Sequence, residues 1–208
     1  MRLTVFPCAA VAVIAAGVLS FVLAHQTSAQ DAKPHAVASA APAPATQPTA
    51  AAVERGKYLV TILACNDCHT PFKLGANGPE PDMSRMLSGH PEFAKMPPAP
   101  ASQGPWIWGG SATNTAFYGP WGVSFAMNLT PDVNTGMGVW TEEMFMKALR
   151  TGKHFGQSRP IMPPMPASAY GQMNDEDLKA VYAYLRSIPP VKNLVPDYQP
   201  PAAVTTNQ

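Results

Sequence analysis

Cys65-Asn66-Asp67-Cys68-His69 is the one stretch whose residue types and spacing could do chemistry by themselves. Two thiols three residues apart can add to the two vinyl groups of one porphyrin, fixing its edge to the backbone. The histidine that follows is then carried under the ring, where an imidazole nitrogen can ligate the iron. C-x-x-C can also be half of a zinc site, but the only other cysteine is Cys8. It can also be a thioredoxin-like redox pair, but no βαβ pattern surrounds it. The histidine directly after the second cysteine favours covalent haem, one per chain, with Cys65 and Cys68 as attachment points and His69 as an axial ligand.

A second iron ligand would come from elsewhere in the chain. Arg159-Pro160-Ile161-Met162-Pro163-Pro164-Met165-Pro166 places two soft thioethers between stiffening prolines. A methionine opposite a histidine raises the reduction potential of haem iron. With 11 methionines in the chain, most must serve packing, so the position of Met162 and Met165 in this loop counts for more than their type. His90, after Gly89 in a long loop, and His154, just past a helix, are the histidine alternatives.

Three helices must position these groups. The first is expected over about 53–64, with Leu59, Ile62 and Leu63 on its apolar face. Gly56 interrupts it, which suggests the close approach of another backbone. Thr141 caps a middle helix whose first turn holds Glu142 and Glu143. Its apolar face is Met144, Phe145, Ala148 and Leu149, and Gly152 ends it. Asn174 caps the last helix, Asp175, Glu176 and Asp177 load its first turn, and Arg186 stands in its last. Leu178, Val181, Tyr182 and Leu185 form its stripe.

Gly56-Lys57-Tyr58-Leu59-Val60 before the haem motif, a Met-Pro pair and a C-terminal leucine-rich helix together resemble the monohaem class I cytochrome c domain. The resemblance covers most of 53–195. Asn128-Leu129-Thr130-Pro131-Asp132, followed by Thr135-Gly136-Met137-Gly138-Val139-Trp140, is similar to the haem domains of membrane-bound alcohol and aldehyde dehydrogenase cytochrome subunits. Those subunits carry three C-x-x-C-H motifs, and this chain has one. The resemblance implies an all-α, cytochrome c-like fold around one covalent haem, the last helix crossing the first at Gly56. It places Asn128, Thr130 and Trp140 near the haem edge; from the residues alone they are turn and cap chemistry. The interval from Met165-Pro166 through Tyr170 to Met173-Asn174-Asp175-Glu176-Asp177-Leu178 matches the family's loop, which selects Met165 over Met162 as the sixth ligand.

The rest of the chain frames this domain. Arg2 precedes an apolar run from Val5 to Ala24, and Thr27-Ser28-Ala29 offers a cleavage site, so 1–29 reads as an export signal or a retained anchor. Cys8 precedes the apolar core of that signal. Residues 30–52 are mostly Ala, Pro, Thr, Ser and Gln, a composition that suits a tether. The domain occupies 53–195, and 196–208 is expected to be a disordered tail. From Gly75 to Met127, glycine, proline and aromatic residues predict a long irregular insertion, packed through Trp106, Trp108, Phe117, Tyr118 and Trp121 as ordinary core.

A net charge of +1 gives no basic stripe, so nucleic acid is excluded as a partner. No other catalytic constellation is visible. The expected function is therefore electron transfer between redox partners, such as a dehydrogenase, an oxidase or a quinone-linked complex. The expected place is the periplasm, free or tethered to the membrane, since c-type attachment occurs outside the bacterial cytoplasmic membrane. The alternative is a haem enzyme or gas sensor whose distal ligand leaves.

Overall fold

The computed structural model describes residues 48–100 and 105–201. The expected signal or anchor at 1–29, most of the tether and the tail from 202 lie outside the described residues. Helix α1 spans Ala50–Ile62, starting three residues earlier than expected because Thr49 caps it, its hydroxyl accepting from Ala52 N at 3.2 Å. Leu59 and Val60 are its buried apolar residues, and Ile62 faces solvent. After Leu63, Ala64 turns left-handed (φ 56°) and the short helix α2, Cys65–His69, follows. The Tyr170 hydroxyl donates to the Leu63 carbonyl at 2.5 Å, satisfying one orphan acceptor at the end of α1.

The fold is not all-α. Strands β1 (Phe72–Gly75) and β2 (Gly78–Pro81) form an antiparallel hairpin, and β3 (Gly109–Gly110), β4 (Ala116–Gly119) and β5 (Gly122–Phe125) a second antiparallel sheet. The registers Gly75 with Gly78 and Gly119 with Gly122 leave two-residue turns, Ala76-Asn77 and Pro120-Trp121. Strands of two to four residues are too short to show alternation, and their turn residues read as loop. The expected irregular insertion therefore contains most of a small β-layer. Phe117 is buried there, but Trp106 and Trp108 are exposed rather than core.

Helix α3 spans Glu142–Thr151, with Thr141 Oγ1 accepting from Met144 N at 3.1 Å and Gly152 closing it at φ 64°. Phe145, Ala148 and Leu149 are its buried face, and Met144 is exposed. A one-turn helix α4, Ala167–Tyr170, precedes α5, Asp175–Ser187, whose cap is Asn174 Oδ1 accepting from Asp177 N at 2.7 Å. Leu178, Val181 and Leu185 pack into the core with Leu59, Val60, Trp140, Phe145 and Leu149. The chain past α5 does not stop at Val195 as ordered structure. Gln199 pairs with Val123 of β5.

Helices α1 and α5 meet at Gly56. A Cβ built there would lie 1.9 Å from the Ala180 carbonyl oxygen and 2.7 Å from Tyr184 Cβ, so the glycine is required by contact rather than by conformation. Arg55 and Asp177 flank the contact with a two-pronged ion pair at 2.8 and 3.2 Å. Gly56→Ala must separate the two helices, and should lower stability by about 1–3 kcal/mol or more in denaturant titrations.

Candidate functional site

Cys65, Cys68 and His69 face a cavity of about 490 Å³, a volume in the range of small-molecule and cofactor sites. Both cysteines are free and half-buried. Burial pushes the Cys65 thiol up to about 11 and raises Cys68 as well, so both are held as thiols. His69 is buried, and burial lowers its pKa against the opposing pull of the Met127 carbonyl. That carbonyl lies 2.8 Å from Nδ1 and can only accept, so Nδ1 carries the proton and donates. The tautomer is fixed, and Nε2 is the ring nitrogen left with a free lone pair.

Met162 and Met165 both line the same cavity, and Met165 also packs against the hydrophobic core. The Ser124 hydroxyl donates to the Pro163 carbonyl at 2.6 Å, and Met165 N donates to the Met162 carbonyl at 3.3 Å. The loop that presents both sulfurs is thus tied to β5. Trp140 and Asn128 line the cavity as well. Trp140 is stacked on Phe155 (4.4 Å between ring centroids), and its carbonyl accepts from the Tyr182 hydroxyl at 2.7 Å. Thr130 is fully buried but does not line the cavity. Its hydroxyl donates to Asn128 Oδ1 at 2.7 Å and accepts from Val191 N at 3.0 Å, so it braces Asn128 from behind.

The histidine alternatives separate. His154 lines the cavity, its ring edge-on to Trp140 at 5.0 Å. His90 does not line it, and both its nitrogens are engaged, Nε2 donating to the Ala94 carbonyl and Nδ1 accepting from the Thr115 hydroxyl, each at 2.9 Å. Among the described residues no three His, Cys, Asp or Glu side chains converge as a set that could hold a metal ion. Among the described residues both sheets are antiparallel, and no βαβ unit surrounds the two cysteines.

Sequence reasoning missed the Met127 carbonyl, Gly89 and Asn193. Gly89, at φ 77°, carried the one available signal, a glycine in a left-handed position beside a histidine.

No protein-family model matches the chain. It is 31% identical over 162 residues to the fructose dehydrogenase cytochrome subunit of Gluconobacter japonicus, covering 75% of this chain and 26% of that protein. It is 30% identical to a nicotinate dehydrogenase subunit of Pseudomonas putida, over 76% of this chain and 11% of that protein. The cytochrome c subunit of the quinone alcohol dehydrogenase of Gluconobacter oxydans is 27% identical, over 74% of this chain and 26% of its own length. The chain carries a cytochrome c domain similar to those of dehydrogenase cytochrome c subunits. It spans about a quarter or less of the length of these relatives. In this cytochrome c domain Val133, Val139 and Leu194 line the cavity while remaining 62%, 63% and 63% exposed, so the cavity opens to solvent there.

Proposed function

We propose that the chain is an exported electron-transfer cytochrome that holds one haem c covalently and passes electrons to and from a redox partner, foremost a dehydrogenase. Cys65 and Cys68 would hold the porphyrin as two thioethers, each thiol S–H adding across one vinyl group. His69 would ligate the iron through Nε2, and Met165 through its sulfur, with Met162 the alternative. The residues fit the group: an apolar-lined cavity, two protonated thiols on one turn of α2, a histidine whose tautomer leaves Nε2 free, and thioethers in the same space. Haem, when bound, supplies a one-electron iron couple.

The observation that carries the reading is the His69–Met127 hydrogen bond. It orients the imidazole, keeps a proton on Nδ1 and raises the basicity of Nε2 as a ligand. With His69 and Met165 both holding the iron, no position would be left for substrate, and the chain's part would be transfer rather than catalysis. The rim of Val133, Val139 and Leu194 supports exchange through the cavity mouth. The relatives' names support a dehydrogenase partner, and a haem attached outside the cytoplasmic membrane supports a periplasmic place. The segment 1–29 would be either removed or kept as the anchor. A redox titration of the purified protein tests the reading. A single reversible one-electron transition with low-spin spectra in both states is expected. A high-spin ferrous form that binds carbon monoxide without any substitution would favour the sensor or enzyme alternative instead.

A further inference from the structure

Asn193 lies in the strap that follows α5, is fully buried, and uses its whole amide. Nδ2 donates to the carbonyls of Ser88 (2.7 Å) and His90 (2.9 Å). Oδ1 accepts from Arg85 Nη2 (2.7 Å) and Glu92 N (3.0 Å). Asn128 answers from the other side, its Nδ2 donating to the Val191 carbonyl of the strap at 2.8 Å. A buried amide with all its capacity used fixes separate segments in register, and is costly to leave half-satisfied.

What these bonds bracket is the peptide that faces His69. Gly89, between the two carbonyls gripped by Asn193, donates its N–H to the His69 carbonyl at 2.7 Å. His90 N donates to the Ala126 carbonyl at 2.9 Å. A Cβ built on Gly89 would lie 2.6 Å from Met127 C and 2.7 Å from Met127 O, so the glycine is seated against the carbonyl that receives the His69 proton. The grip therefore passes from Asn193 to the Gly89 turn, and from that turn to the acceptor of His69.

We propose that Asn193 is a positioning residue for His69: by holding the carbonyls on both sides of Gly89, it seats that turn against Met127 and sets the strength of the Nδ1–H···O bond. The proposal rests on the reading of His69 as the iron ligand. A firm bond makes the imidazole a stronger donor and so favours ferric iron. Loosening the grip should weaken the donor and move the reduction potential upward.

Asn193→Ser shortens the side chain, so it releases the carbonyls and leaves the net charge unchanged. Three quantities are compared with wild type in the haem-loaded protein: the potential, the proton resonance of His69 Nδ1–H, and thermal stability. The expected result is a more positive potential together with an upfield shift of the Nδ1–H resonance. A lower melting temperature with potential and resonance both unmoved would overturn the proposal and leave Asn193 an ordinary core amide. If that variant does not fold, Arg85→Lys retains the charge but misplaces the donor to Oδ1. It should shift both observables the same way by less, and no shift there overturns the proposal equally. Wild-type protein without covalent haem would fail before any variant is compared, and would remove the His69 reading and this proposal with it.

Discussion

Replacing both Cys65 and Cys68 with alanine should free the haem, so that acidified organic solvent extracts all of it from the double variant and none from wild type. The expectation follows from where the thiols stand. Both lie on the single turn of α2, beside His69 and facing one cavity. Each single variant retains one thioether and should still resist extraction. The double variant should also accumulate less holoprotein, because only axial bonds and packing then hold the cofactor. Haem that stays with the double variant under these conditions would contradict the attachment.

The second large effect separates two methionines. Met165→Ala should abolish the long-wavelength ferric band that marks sulfur–iron ligation, open the iron to carbon monoxide or cyanide, and lower the reduction potential. Met162→Ala should keep the band. Its stability change should fall below the ~2–5 kcal/mol lost on truncating a fully buried methionine, because Met162 is only half-buried. The reverse pattern would move the ligand three residues earlier in the loop. If wild type shows no such band and neither substitution alters its spectrum, His154 is the histidine candidate on the cavity, since His90 does not line it and is hydrogen-bonded at both nitrogens.

The difference between what could and could not be read from the sequence has a physical basis. Helices α3 and α5 announce themselves locally: Thr141 and Asn174 cap them, acids load their first turns, and apolar residues recur at helical spacing along each. Gly56 likewise pointed to a close neighbour, and Ala180 supplies it. The strands were hidden because none exceeds four residues, and their turn residues, Ala76-Asn77 and Pro120-Trp121, are not the Asn-Gly or Asp-Gly pairs that mark a hairpin. Trp106 and Trp108 misled as core because aromatic type says nothing about which side of a short strand or loop it takes.

At the site, the C-x-x-C-H turn and the two loop methionines were legible as motifs, and all of them line one cavity. Asn128 and Trp140 join them, while Thr130 sits one layer back. The bond from His69 to Met127 links positions 58 residues apart and ends on a backbone carbonyl, which carries no sequence signature. The grip of Asn193 on Ser88 and His90 spans more than a hundred residues and is hidden for the same reason.

The central claim is that Cys65 and Cys68 bind one haem covalently, and an intact-mass measurement on the denatured protein tests it most directly. The account predicts a polypeptide heavier by one haem, with the added mass confined to the peptide containing Cys65 and Cys68 after proteolysis. A denatured chain at its bare polypeptide mass, from cells competent in c-type maturation, would contradict it.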